Sequence, residues 1–106
     1  MLKLTPNPTF KTNVQITIPG SDLPVKIEVT FRHKNKDKLK AFLEGMTGRP
    51  DDEILDEVIE SWQGPDEAYS KEALQKLLLN YPASGPELLH GYIEAQAESR
   101  RKNSPR

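Results

Sequence analysis

The sequence predicts an α+β fold, an N-terminal antiparallel β-hairpin packed against about four short α-helices. Three observations point there: strict two-residue alternation over residues 10–31, a Pro/Gly/Asp-rich break in its middle, and helical spacing of apolar residues after Asn35. Phe10, Thr12, Val14, Ile16 and Ile18 fall on one face of the first strand, and Lys11, Asn13, Gln15 and Thr17 on the other. The segment Pro19-Gly20-Ser21-Asp22-Leu23-Pro24 breaks the run. Val25, Ile27, Val29 and Phe31 then alternate with Lys26, Glu28, Thr30 and Arg32. An isolated two-stranded hairpin is marginal in water, so its apolar face must lie on something downstream.

The helices supply that support. Leu39, Phe42, Leu43 and Met46 sit at helical spacing after Asn35, a good N-cap, and Thr47-Gly48-Arg49 ends that element. Pro50 suits the start of the next helix, and Asp51, Asp52 and Glu53 complement the dipole of its first turn. Its stripe of Ile54, Leu55, Val58, Ile59 and Trp62 predicts a helix running through Trp62, stopped by Gln63-Gly64-Pro65. Ser70 caps a third helix carrying Leu74, Leu77, Leu78 and Tyr81, which Pro82 ends. Ser84 and Glu87 form a capping-box pattern for a fourth with Leu88, Leu89, Tyr92 and Ile93, whose stripe is lost after Ala97.

Composition narrows the function. A chain of 106 residues, 35% hydrophobic and 29% charged, suits one domain. Fifteen Lys and Arg against sixteen Asp and Glu argue against a protein that coats nucleic acid or anionic membrane. Cysteine is absent, which excludes disulfides, thiolate zinc sites and cysteine nucleophiles. No apolar run approaches the ~20 residues of a membrane span, and the first residues lack the apolar core of a signal peptide. A reducing cytoplasm is the expected address.

No catalytic, cofactor-binding or metal-ligating residue can be assigned. His33 and His90 lack partners at metal-ligand spacing. Gly45-Met46-Thr47-Gly48-Arg49 lacks the Gly-Lys-Ser/Thr ending of a phosphate loop, and Ser70 and Ser84 are accounted for as caps. Acids stacked on the outer side of the second helix, Asp52, Asp56 and Glu60, read as a solvated face that a basic partner could dock on. With Leu74, Leu77, Leu78 and Tyr81 turned to the core, Leu79 is pushed toward an edge and is a candidate partner contact. Basic residues cluster in 32–40, which keeps open an alternative: a small regulatory or adaptor protein binding nucleic acid there. The aromatics nearest that cluster, Phe31 and Phe42, belong to apolar stripes rather than to a stacking platform.

The wording of the chain is also familiar. Trp62-Gln63-Gly64-Pro65-Asp66-Glu67-Ala68-Tyr69-Ser70, Glu72-Ala73-Leu74, Leu77-Leu78 and Asn80-Tyr81-Pro82-Ala83 resemble the tail assembly chaperones of long-tailed bacteriophages. So does the opening, with Thr9-Phe10-Lys11, Pro19-Gly20 and Thr30-Phe31-Arg32-His33-Lys34. The resemblance implies a protein of the host cytoplasm, absent from the mature virion, that binds the tape measure protein and helps recruit tail tube subunits. It also implies that some copies carry a frameshifted C-terminal extension. Several copies along one long partner would suit self-association, for which the basic 34–40 and acidic 51–67 segments offer opposite poles.

Residues 1–98 are expected to form a single domain of this type, and 99–106 a flexible basic tail. Beyond Ala97 no apolar stripe remains and Pro105 cannot extend a helix. A chain ending at Glu98 is therefore expected to keep the melting temperature of the full chain in a thermal unfolding scan.

Overall fold

A computed structural model describes residues 2–97, and the expected tail at 99–106 lies outside them. Among these residues are three strands and four helices: β1 (Thr9–Ile16), β2 (Val25–Arg32), α1 (Lys36–Glu44), α2 (Asp51–Val58), β3 (Ile59–Gln63), α3 (Lys71–Asn80) and α4 (Ser84–Gln96). The alternation becomes the expected hairpin. β1 and β2 pair antiparallel without a register break from Thr9↔Arg32 to Ile16↔Val25. Val14, Ile16, Ile27, Val29 and Phe31 are buried, while Lys11, Asn13 and Gln15 face water.

Helix α4 is laid along β1. Glu87 accepts from the Thr17 backbone N–H at 3.0 Å, and the Gln96 side chain accepts from the Lys34 backbone N–H at 3.0 Å. Between these anchors Gly91 lies so close to the strand that a Cβ there would sit 3.1 Å from Val14 Cγ2. A Cβ here would require the Val14 side chain to give by a few tenths of an ångström. Tyr92, one residue on, is fully buried with its ring 5.0 Å from Phe31, 5.8 Å from Phe42 and 6.1 Å from Phe10, centroid to centroid. Its hydroxyl donates to the Arg32 carbonyl at 3.0 Å, so the one polar atom of this aromatic cluster is satisfied. Burial, and then the nearby Glu57 charge, push the phenol up to about 12.

The second helix departs from expectation. It ends at Val58, and Ile59–Gln63 is a third strand, antiparallel to β2 in the sheet order β1-β2-β3. The reason is a β-bulge. Thr30 pairs with Ser61 but Phe31 pairs with Ile59, which leaves Glu60 as an extra residue. The bulge breaks the two-residue alternation, so Ile59 and Trp62, three apart, both point into the core. Three is also a helical spacing, and the sequence pattern is the same for either structure. Trp62 is thus a core residue of a strand, opposite Val29, and Glu60 lies on that strand rather than on a helix with Asp52 and Asp56.

Three helices start where expected, after Asn35, Pro50 and Ser70, and the fourth differs. The Asn35 side chain accepts from the Lys38 N–H at 2.9 Å, and Ser70 Oγ accepts from the Ala73 N–H at 3.0 Å. The expected Ser84–Glu87 capping box does not form. Ser84 is inside the helix and fully buried, its hydroxyl donating to the Leu77 carbonyl at 3.3 Å, and Glu87 is drawn away to Thr17. The turn from α3 into α4 is tight, with the Ser84 N–H bonded to the Tyr81 carbonyl at 2.8 Å, which tucks the serine beneath α3.

Trp62 joins the sheet, the following loop and Tyr69, whose ring meets it edge-on at 5.0 Å. Trp62→Ala is expected to cost on the order of 3–5 kcal/mol, a large share of the stability of a domain this size, measurable by thermal or urea unfolding.

Candidate functional site

The acids singled out in the sequence are largely engaged inside the fold. Asp52 accepts from the Gln75 amide on α3 at 2.8 Å, and this hydrogen bond above all holds its carboxyl below the usual carboxylate range. Asp56 accepts from the Tyr69 hydroxyl, whose pKa is raised well above the ordinary phenol range by burial first and then by that bond. Glu60 pairs with Arg32 at 2.9 Å. The same guanidinium donates to the Asp56 and Glu57 carbonyls at 3.1 Å each, satisfying free acceptors in the last turn of α2. Arg32 therefore brings Asp56 and Glu60 together across a helix and a strand, while Asp52 lies apart at the helix start, against α3.

Glu57, on the same helix, has two basic partners. It takes Lys34 at 3.0 Å and Arg49 at 3.1 Å. Partial burial pushes its pKa up, but the hydrogen bonds and charges of Lys34 and Arg49 outweigh this and hold it below the ordinary glutamate value. Lys34 also stands 5.4 Å over the Phe42 ring. The basic segment has thus spent Arg32 and Lys34 within the chain, and Phe31 and Phe42 are buried rather than offered to bases. The opposite poles invoked for self-association partly neutralise each other here.

Among the described residues the exposed large apolar side chains are Leu2, Leu4, Leu23, Val25 and Leu79, and two apolar features lie on or beside α3. Leu79 is 81% exposed, one turn after Gln75 and so on the side of the helix that reaches Asp52. The second is an open groove of about 410 Å³ between the tip of the hairpin and α3. Its floor is Ile16, Ile27, Trp62 and Ala73, and its walls are Ile18, Val25, Leu77 and Tyr81. Gly64, with φ +123°, lets the chain turn against Ile27, where a Cβ would meet Cγ2 at 2.9 Å. The Trp62 indole N–H donates to the Glu67 carbonyl at 2.8 Å, and Lys76 pairs with the Glu67 carboxylate at 2.9 Å, so the rim is stitched to α3. The groove residues were legible as apolar positions. That the hairpin tip and α3 face each other here was not.

In the family comparison, a model described as phage tail assembly chaperone matches residues 1–103. The chain belongs to the phage tail assembly chaperones. Comparison with curated proteins and with solved structures finds no match. Among the described residues of this chaperone, no helix is long and apolar enough to cross a membrane.

The Glu57 contacts make the stability of the chaperone pH-dependent. Because the folded pKa lies below the unfolded value of 4.5, the stabilisation is fully present above that pH and is lost as pH falls through the folded value. Glu57→Gln is expected to lower the melting temperature at neutral pH and to flatten its decline under acid, read by thermal unfolding between neutrality and pH 3 or so.

Proposed function

We propose that this chaperone acts without catalysis, binding the tape measure protein in the host cytoplasm, assisting assembly of the tail tube, and leaving before the virion is complete. The observation that carries the proposal is membership of the tail assembly chaperone family over nearly the whole chain. The physics supports it. A long helical partner with apolar seams needs a small soluble frame that offers apolar area, and α3 does so on two sides. Leu79 is proposed as one contact, and Asp52, Asp56 and Glu60 as acids that a basic partner segment would meet. Neighbouring copies along the same partner would be held by weak, salt-sensitive charge contacts.

Co-expression with the tape measure protein of the same phage is expected to raise that protein's solubility, and the two should co-purify. Leu79→Glu is expected to leave the melting temperature unchanged, because Leu79 lies outside the core, and to weaken co-purification by placing an uncompensated charge at the contact. Retained binding by a folded Leu79→Glu variant would remove Leu79 from the interface. Failure of the wild-type chain to co-purify at any salt concentration would remove the tape-measure proposal.

A further inference from the structure

We infer that the groove between the hairpin tip and α3 is a docking site for an amphipathic helix whose apolar ridge is flanked by basic residues. The partner chemistry rests on the tape-measure reading above; the site is a separate contact from Leu79, which is not among the groove's lining residues.

Size and chemistry set the occupant. About 410 Å³ lies at the low end of the ~300–1,000 Å³ typical of ligand pockets, enough for a few large side chains. The floor and walls are aliphatic and aromatic. The Trp62 N–H, the one polar group of the floor, is already spent on the Glu67 carbonyl at 2.8 Å. Asn80 and the Tyr81 hydroxyl are the uncharged polar side-chain groups left in a lining that is otherwise mostly apolar, and the i, i+3/i+4 ridge of a helix fits such a lining without needing a directional donor. Val25, half-exposed at 50%, and the half-buried Ile18, Leu77 and Tyr81 have apolar surface left to cover.

The charge around the groove selects the flanks of that helix. Asp66 and Glu67 stand on the rim with Lys76, and Lys76 is held by Glu67 at 2.9 Å. Beyond Ile18 an adjoining depression is lined by Asp22 and Glu87. The groove rim thus carries two carboxylates and one ammonium, a net negative charge left on Asp66, and two further carboxylates lie in the adjoining depression. Lys or Arg on either side of the partner's apolar ridge complements this, and acidic flanks are repelled.

Trp62 is the single tryptophan of the chain and lies in the groove floor, so its emission reports occupancy. Tryptophan-free peptides spanning the helical segments of the tape measure protein are titrated into the intact chaperone. At least one should shift Trp62 emission saturably, with affinity falling as salt rises. Val25→Lys should keep the melting temperature and weaken that peptide, and capture of the whole tape measure protein, by roughly tenfold or more. Asp66→Lys, on the rim, should weaken binding chiefly at low salt. Wild-type capture of the tape measure protein with unchanged Trp62 emission, or with full affinity retained by folded Val25→Lys, overturns the groove assignment and leaves the tape-measure reading standing. A shift of Trp62 emission that follows the chaperone's own concentration, with no peptide present, assigns the groove to a second copy and overturns the helix. No capture of the tape measure protein by the wild-type chain overturns the reading and the occupant together.

Discussion

The pairing of β3 with β2 across the bulge at Glu60 is the constraint on which the rest of the structure depends. It ends α2 at Val58 and places Ile59 and Trp62 together in the core. It also turns Glu60 outward to Arg32. Because Arg32 is thereby held against the end of α2, its guanidinium serves the Asp56 and Glu57 carbonyls as well. The strand then delivers Gly64 against Ile27 and the Glu67 carbonyl to the Trp62 indole, which fixes one side of the groove. A bulge in an antiparallel pair is a local kink with a long reach: one unpaired residue decides which faces both neighbouring segments present.

A second organising contact sits near the same end of the sheet, at Phe31 and Arg32. Tyr92 gathers Phe10, Phe31 and Phe42 and donates to the Arg32 carbonyl, so α4, the hairpin and α1 meet on one ring. Lys34 and Glu57 lie near this cluster, and with Arg49 they form a charged triad in which the carboxylate is shared. These pairs are half-buried rather than exposed. Their effect is to hold α2 against the end of β2 and to neutralise charge that would otherwise face a partner.

The surface combines charge with apolar area on and beside α3. A chain with 29% charged residues has its sequence-adjacent acidic and basic segments partly folded onto each other, while α3 keeps Leu79 and the groove on separate parts of its surface. An assembly chaperone needs this combination. Charge keeps the free molecule soluble, and limited apolar area gives a partner something to bind without inviting bulk aggregation.

The sequence by itself determined the hairpin and its faces, the starts of α1 and α3 at Asn35 and Ser70, the exposed position of Leu79, and the family. Each of these rests on local information: a two-residue period, a capping side chain, a helical register, a run of family words. Tertiary structure alone decided the third strand, the fate of the fourth helix's cap, the charge partners and the groove. Ile59 and Trp62 stand three apart, which suits a helix and a bulged strand equally, and only pairing with Val29 and Phe31 resolves the two. Ser84 and Glu87 satisfy a capping box on paper, but Leu77 and Thr17, distant in sequence, offer them partners in the folded chain. The groove lies where the hairpin tip and α3 face each other, and how closely two elements approach is set by packing, for which no residue carries a local signal.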